Sequence, residues 1–266
     1  MNRVIDLPVV FTNDGMQLVG MVHRPEGEPH PPAVVFFHGC TTTRNEAHGL
    51  FVKVGRALAR RGILAFRFDF RYNGESEGDF RDLTLSAEVS DGIRAVETVV
   101  RDHGADPSRI GLVGMSMGGA IGAIVAGRLR DRISACALLN PVSRPVDDLL
   151  ALAARHSLDT ATFPIAFKTF LFGERFVREL DSIRPLEEIG RATCPFLLVN
   201  GTGDATVDPA RSREYLDAIH TSGGLAELCE LPGADHLFSS IHWEHQINTR
   251  LDSWFAARFG LDGTPR

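Results

Sequence analysis

A serine between two glycines is the clearest sign of chemistry in this chain. Ser116 is the central residue of Gly-Met-Ser-Met-Gly at 114–118, after an apolar segment, 109–113, and before an Ala/Gly-rich run, 120–129. A Gly-x-Ser-x-Gly sequence at a strand-to-helix turn is typical of a nucleophile elbow, which raises a serine hydroxyl above the edge of a sheet. The pattern therefore predicts that Ser116 is a nucleophile that attacks an acyl group.

A serine hydroxyl is a weak nucleophile until a base takes its proton. Of the ten histidines, His236 stands out because it lies in a short loop, Gly-Ala-Asp-His at 233–236, between a strand-like segment and the last helical one. Asp204 follows another strand-like segment, and the order Ser, Asp, His is the one found with this elbow. We expect His236 to accept and return the proton, and Asp204 to hold its imidazole.

Three other residues compete for these roles and have simpler structural interpretations. Asp208 lies just before a helical segment that begins near Pro209, so it is expected to cap that helix. Asp235 adjoins His236 in sequence, which favours a role in shaping the loop. His38 follows a strand and is expected to hold its own loop by hydrogen bonds rather than to act as a base.

Hydrolysis of an acyl group also requires N–H donors for the negative oxygen that forms during attack. One donor is expected to be the backbone N–H of Met117, directly after the nucleophile. The other is expected from the loop His-Gly-Cys-Thr at 38–41, where the N–H of Cys40 is the candidate. The Cys40 thiol is a second possible nucleophile, although Ser116 occupies the elbow.

The elements that must position these residues alternate between strands and helices. The segments 4–11 and 16–24 flank the turn sequence Asn-Asp-Gly, which predicts an antiparallel hairpin. Repeated strand–helix units follow, so we predict an α/β fold with a mostly parallel twisted sheet of about eight strands and helices on both faces. Ligands of such sheets bind beyond the carboxyl ends of the strands, where every candidate residue lies.

One segment, 141–191, interrupts this alternation, because it contains no clear strand pattern. Its Phe163, Phe167, Phe170 and Leu171 are spaced as on one face of a helix, which favours a helical structure. We therefore predict a core domain of residues 1–140 and 192–266, with 141–191 as a small helical cap insertion over the strand ends.

Composition limits the function further. Of the 266 residues 44% are hydrophobic and the net charge is −6, with acidic and basic residues mixed. We therefore expect no nucleic-acid or membrane partner. The start of the chain lacks the apolar core of a signal peptide, which predicts a cytoplasmic protein with four free cysteines. We expect no cofactor and no metal, and we interpret His242 and His245 as surface or packing residues of the last helix.

Several motifs together resemble the α/β-hydrolase fold superfamily over essentially the whole chain, and more narrowly the serine esterases of the cinnamoyl/feruloyl type. The resemblance depends on five segments in the expected order, at 38–46, 66–78, 114–119, 201–207 and 233–236.

The resemblance implies a Ser–His–Asp triad of Ser116, His236 and Asp204, with backbone donors at Cys40 and Met117. It also implies that the insertion forms the acyl pocket, for which the candidates are Met115, Phe163, Phe167 and Phe170. These phenylalanines could equally pack the insertion onto the core. Within the segment 66–78 we expect either an Asp69–Arg71 pair or a substrate contact.

The leading hypothesis is hydrolysis of a small-molecule carboxylic ester with an apolar or aromatic acyl group. A thioesterase or a biosynthetic acyltransferase would use the same acyl-enzyme, and perhydrolase or C–C bond hydrolase chemistry also stays open. A peptidase is less favoured, and so is a catalytically silent binding module, because such modules lose a triad member or the oxyanion glycine. The sequence leaves open whether the protein is a homodimer.

Overall fold

The strands form two sheets in the computed structural model, which describes residues 2–261. Within that range an eight-stranded sheet is accompanied by a separate two-stranded one. The strands in chain order are β1 Val4–Asn13, β2 Met16–Pro25, β3 Ala33–Phe37, β4 Leu64–Phe68, β5 Ile110–Met115, β6 Ala135–Leu139, β7 Ile165–Phe167, β8 Phe170–Phe172, β9 Phe196–Gly201 and β10 Ala226–Leu231.

Helices connect most of these strands. In chain order they are α1 Leu50–Arg61, α2 Leu85–Arg101, α3 Met117–Leu129, α4 Pro145–His156, α5 Glu174–Leu180, α6 Pro185–Ile189, α7 Ala210–Thr221 and α8 Ile241–Arg258. No helix of the described residues is both long and apolar enough to span a bilayer.

The large sheet has the strand order β1-β2-β4-β3-β5-β6-β9-β10. β1 pairs antiparallel with β2, and β2 pairs antiparallel with β4. The remaining neighbours pair in parallel. The predicted α/β fold with a mostly parallel sheet is therefore confirmed, and the carboxyl ends of β3, β5, β6, β9 and β10 meet at one edge.

Both faces of the sheet are covered by helices, which explains the continuous apolar runs of the central strands. All five residues of β3 are buried. Since side chains alternate along a strand, Val34 and Phe36 pack in one core with α1 and α8, while Val35 and Phe37 pack in the other with α2 and α3.

Local sequence signals determine where α1 begins and ends. Leu50, Val54 and Leu58 are four residues apart, and all three are buried. They form the apolar face expected of a helix that covers a sheet. The helix ends at Arg61, and its C-cap Gly62 has a left-handed φ of 100°, which is typical of a glycine at this position.

The insertion between β6 and β9 departs from the predicted all-helical structure. It contains α4, α5 and α6, but β7 and β8 form an antiparallel hairpin in which Phe167 pairs with Phe170. Lys168, which follows β7, has a φ of 53°, as a tight hairpin turn requires. The helical interpretation of Phe163, Phe167, Phe170 and Leu171 was wrong, because residues three apart also face each other across a two-residue hairpin.

Aromatic rings attach this hairpin to the core. The ring centroid of Phe80 lies 4.8 Å from that of Phe170 and 5.1 Å from that of Phe172. The ring centroid of Phe172 lies 5.0 Å from that of Phe176 in α5. Phe170 therefore packs the insertion onto the core, one of the two roles expected for it.

Four free cysteines lie within the described residues, as expected. Cys136 and Cys194 are buried, whereas Cys40 and Cys229 are half-buried.

Candidate active site

The elbow at Ser116 has the backbone geometry that its sequence predicts. Ser116 has φ 55° and ψ −120°, a conformation that is costly for a residue with a side chain and is found mainly at functional sites. A Cβ at Gly118 would lie 2.1 Å from the Phe37 carbonyl oxygen, and one at Gly114 would lie 2.2 Å from that of Gly118. The close backbone approach therefore requires both glycines.

Three side chains form a hydrogen-bonded line above the ends of β5, β9 and β10. The Ser116 hydroxyl Oγ lies 3.1 Å from Nε2 of His236. On the other side of the ring, Nδ1 of His236 lies 2.7 Å from Oδ2 of Asp204. A hydroxyl that donates to Nε2 requires the neutral tautomer with its proton on Nδ1, which then donates to the carboxylate. The structure thus brings the three predicted residues together in the order Ser116, His236 and Asp204.

The loop after β9 holds the Asp204 carboxylate for this contact. Its Oδ1 accepts the backbone N–H groups of Thr206 at 2.7 Å and Val207 at 2.9 Å. Only 1% of the side chain is exposed, so these two bonds and the histidine fix its orientation. Asp208 instead accepts the N–H of Ala210, the first residue of α7, at 2.9 Å, which agrees with its expected role at the start of that helix.

Asp235 shapes the loop that carries His236. Its Oδ1 accepts the backbone N–H groups of Leu237 at 3.1 Å and Ser239 at 2.9 Å. These bonds form a tight turn before α8, and they direct the Asp235 carboxylate to the backbone of its own loop rather than to the His236 ring. The expected role of Asp235 is therefore confirmed.

Asn140, which the sequence analysis did not single out, connects the two loops. Its Oδ1 accepts the N–H of Gly201 at 2.8 Å, and its Nδ2 donates to the carbonyl of His236 at 2.9 Å. The residue is 2% exposed and has a φ of 41°, a conformation that asparagine tolerates better than most residues. A polar residue directly after a buried strand is the signal that could have found it.

The candidate oxyanion donors lie on both sides of Ser116. Met117 is the first residue of α3, where an N–H has no acceptor within the helix. His38 Nδ1 lies 2.7 Å from the Gly39 carbonyl, and His38 Nε2 accepts the Phe70 N–H at 3.2 Å. These two bonds confirm that His38 holds the loop. The carbonyl and the N–H of one peptide unit point in opposite directions, so the Cys40 N–H points away from His38.

The Cys40 thiol is poorly suited to compete with Ser116. Burial, reinforced by the charge of Glu88, raises the pKa of the Cys40 thiol well above its ordinary value. Because the thiolate is the reactive form, little of this side chain is nucleophilic near neutral pH.

A cavity of about 340 Å³ lies in front of the nucleophile, under the insertion. Its walls are largely apolar, and its lining residues include Val142, Leu149, Leu152, Phe167, Phe172, Phe176 and Val207. The elbow contributes to the same cavity through Ser116, and the facing loops through Cys40 and His236.

One carboxyl group interrupts the apolar wall. Asp148 of α4 lines the cavity, and its Oδ1 accepts the Arg211 Nε–H at 2.8 Å. Among the described residues its buried Oδ2 has no hydrogen-bond partner. Burial raises the pKa of Asp148, although the bond from Arg211 opposes that effect. Asp148 thus brings an unpaired, buried carboxylate oxygen to the wall of the cavity.

The structure places the four pocket candidates differently. Met115 and Phe167 line the cavity, although the Met115 side chain packs in the core beneath α1 and α8. Within residues 2–261 the lining includes neither Phe163 nor Phe170. Phe163 is 41% exposed, and Phe170 packs on the core. Phe172 and Phe176 also line the cavity, and neither was predicted to do so, because Phe172 reaches it through the hairpin and Phe176 through the packing of α5.

The expected Asp69–Arg71 pair does not form. Asp69 instead binds the backbone N–H and the guanidinium of Arg44. Arg71 pairs with Asp91, with Nη2 and Oδ1 2.6 Å apart. Both residues lie beyond the end of β4, each is bound by a residue distant in sequence, and both are therefore structural.

No cluster of three or more His, Cys, Asp or Glu side chains suited to a metal ion occurs in the described part of the chain. His242 and His245 are both exposed on α8, and His242 contacts Gln246 within the same helix. They therefore form no common site.

Comparison with known proteins agrees with this architecture. A family model described as alpha/beta hydrolase fold matches residues 32–181. The chain is also similar to the monoglyceride lipase of Rattus norvegicus, with 31% identity over 97% of this chain and 93% of the relative. A thiohydrolase, aneE of Aspergillus aculeatus, is 34% identical over 54% of this chain and 46% of its own length.

Among solved structures, Est1E from Butyrivibrio proteoclasticus with bound ferulic acid is similar, with a TM-score of 0.81. The identity is 21%, and the match covers 95% of this chain and 99% of that one. At this identity the likeness shows the shared fold.

Proposed function

The chain belongs to the alpha/beta hydrolase fold family, and on that premise we propose that it is a serine hydrolase that cleaves carboxylic esters through an acyl-enzyme. The observation that carries this proposal is the line of hydrogen bonds from Ser116 through His236 to Asp204. Esterase and lipase relatives support a hydrolase in general.

In the first half of the proposed reaction, Nε2 of His236 takes the Ser116 proton while Oγ attacks the ester carbonyl. The carbonyl oxygen becomes negative and accepts hydrogen bonds from the N–H groups of Cys40 and Met117. Asp204 stabilises the imidazolium that forms. When the carbon–oxygen bond to the alcohol breaks, His236 returns the proton to the leaving alcohol, and the acyl group remains on Ser116.

In the second half, water takes the place of the alcohol. His236 removes a proton from water as the water oxygen attacks the acyl carbon, and a second tetrahedral intermediate forms in the same oxyanion hole. Collapse of this intermediate breaks the bond to Ser116 Oγ, which regains a proton from His236. The net reaction consumes one water and yields an acid and an alcohol.

The cavity supports an apolar or aromatic acyl group. Rings from β7, β8 and α5 cover it, while Leu149 and Leu152 of α4 contribute aliphatic wall. The unpartnered Oδ2 of Asp148 adds one acceptor to this wall. A buried acceptor is costly to leave unpaired, so we propose that the preferred acyl group carries a hydroxyl or another donor that reaches Asp148.

Thioester hydrolysis is the second candidate, and the similarity to a thiohydrolase favours it. Both reactions form the same acyl-enzyme, and only the leaving group differs. The apolar cavity and the oxyanion donors would serve either substrate.

A substrate panel tests the proposal and separates the two candidates. We expect multiple turnover of aryl-acyl esters, with hydroxylated acyl groups preferred over unsubstituted ones. Ser116→Ala should lower kcat by about 10⁴-fold or more, since it removes the nucleophile. A higher kcat/KM for matched thioesters would instead favour the thioesterase, and a Ser116→Ala protein with the wild-type rate would refute both.

A further inference from the structure

A second carboxyl group, that of Glu46, lies beside the nucleophile and has no place in the triad. Glu46 is in the loop after β3, is 7% exposed and has a φ of 57°. Its Oε1 accepts the backbone N–H of Gly39 at 2.5 Å, and its Oε2 accepts that of Ala47 at 3.3 Å. A strained, buried carboxyl group that binds the preceding loop is a costly feature, so a functional role is expected.

The Glu46 carboxyl and the nucleophile face each other across Gly39. A Cβ at Gly39 would lie 3.4 Å from Glu46 Oε1 and 3.3 Å from the Ser116 Cβ. Glu46 and Ser116 also line the same cavity. The carboxyl group is therefore near the reacting atoms, and Gly39 is the residue between them.

Gly39 is also the residue before the proposed oxyanion donor, the N–H of Cys40. Its carbonyl is held by Nδ1 of His38, and its N–H is held by Glu46. The two peptide units on either side of Gly39 are thus each fixed by one buried side chain. Loss of the Glu46 bond would free the first unit to rotate, and the Cys40 N–H would move with it.

We propose that Glu46 is a positioning residue of the oxyanion hole, and that turnover requires its carboxylate to be ionised in addition to a neutral His236. The proposal rests on the proposed function, since it concerns the oxyanion hole of that reaction. An ionised acceptor forms a stronger bond to a backbone N–H than a neutral one, so protonation of Glu46 loosens the Gly39 peptide and weakens stabilisation of the oxyanion.

The titratable groups that face Glu46 come from two elements. His48 belongs to its own segment, and His236 comes from the loop before α8. Burial raises the pKa of Glu46 to about 7, an effect that its backbone N–H bonds and the two histidines only partly oppose. Activity should therefore rise as Glu46 gains its charge through neutral pH.

The test compares Glu46→Gln with the wild-type protein over about pH 5 to about pH 9, using a soluble aryl ester and kcat per active site. A fluorophosphonate titration counts the active sites and removes differences in folded fraction. The matched control is Glu227→Gln, since Glu227 is a surface residue that pairs with Arg250 and Arg258 far from the cavity.

We expect Glu46→Gln to have about tenfold lower kcat at high pH with little change in KM, because a neutral amide replaces a charged acceptor. Its acid limb should follow one ionisation, whereas the wild-type limb should follow two. A merely structural role would lower the number of titrated sites and leave both the kcat per site and the shape of the profile unchanged.

The outcomes separate this proposal from the proposed function. A wild-type protein that neither reacts with the fluorophosphonate nor cleaves esters would overturn both. A reactive, active wild-type protein whose kcat per site and pH profile are unchanged in Glu46→Gln would overturn the Glu46 proposal alone. Glu46→Ala, which removes the acceptor altogether, should fall below Glu46→Gln at every pH, and an equal or higher rate would also count against the proposal.

Discussion

Two regions of the molecule are built in different ways: the edge of the sheet that carries Ser116, Asp204 and His236, called the edge below, and the insertion above it. Around the edge, buried side chains bind backbone groups, and several residues other than glycine have positive φ, namely Thr41, Glu46, His48, Ser116, Asn140 and Phe238. The insertion is attached to the core largely through ring contacts, such as those of Phe80 with Phe170 and Phe172, with a few polar contacts such as Asp148 with Arg211 and Glu179 with the N–H of Leu85.

This difference separates two tasks. Hydrogen bonds have strict geometry, so the edge can hold a nucleophile, a base and N–H donors in fixed positions. Apolar contacts are non-directional, so the insertion can present a wall whose shape changes with a few side chains. We infer that the edge determines how an acyl group is attacked, while the insertion determines which acyl group is accepted.

The largest effect is expected where the edge loses a triad contact. Asp204→Asn should lower kcat by about 10⁴-fold, because the amide favours the wrong histidine tautomer. Asp208→Ala is the matched control, since it removes a carboxylate four residues away that only caps α7. It should cost about 1 kcal/mol of stability and leave kcat nearly unchanged. Comparable losses of kcat in the two variants would show that Asp204 is not the residue that orients His236.

A smaller loss is expected where the edge keeps its triad but loses a support. Asn140→Asp keeps an acceptor for the Gly201 N–H and tolerates positive φ, but it cannot donate to the His236 carbonyl. A displaced base should lower kcat by about 10- to 100-fold.

Asn200→Ala is the comparison for this variant. Asn200 is buried on β9, and neither of its side-chain polar atoms has a hydrogen-bond partner within residues 2–261. We expect Asn200→Ala to change the thermal stability of the protein more than its kcat. An Asn140→Asp enzyme with the wild-type kcat would show that the link between the two loops has no role in catalysis.

The smallest effect on chemistry is expected in the insertion. Phe172→Ala removes a ring that lines the cavity and packs on Phe80 and Phe176. It should lower kcat/KM for bulky aryl-acyl esters by about tenfold, in line with the loss of about 1–3 kcal/mol of apolar contact, and leave the hydrolysis of acetyl esters almost unchanged. Steady-state kinetics on both substrates gives the ratio. Equal losses on both would remove the distinction between edge and insertion.

The sequence predicted the edge well because its signals are local. The elbow glycines, the cap at Asp208 and the turn at Asp235 each depend on residues only a few positions apart. Chain order then placed Ser116, Asp204 and His236 together, since parallel strands bring their carboxyl ends to one edge.

The remaining features depend on contacts between distant residues, which no short pattern reveals. In the hairpin at 165–172, apolar residues three positions apart face each other, and a helix has the same spacing. The rings that pack against the hairpin come from separate segments of the chain. Asn140 and Glu46 are ordinary polar residues in the sequence, and only the folded chain shows which backbone groups they bind. Asp69 and Arg71 were expected to pair with each other or to contact substrate, but each binds a residue distant in sequence, Arg44 and Asp91 respectively.

The central claim is that Ser116 is the residue that becomes acylated, and covalent labelling tests it most directly. The folded protein is treated with a fluorophosphonate, digested, and mapped by mass spectrometry, beside Ser116→Ala. We expect one adduct, on the peptide that contains Ser116, and none in the variant. An adduct on Cys40, or ester hydrolysis by a protein in which Ser116 is never labelled, would contradict the role of Ser116 as the acylated residue.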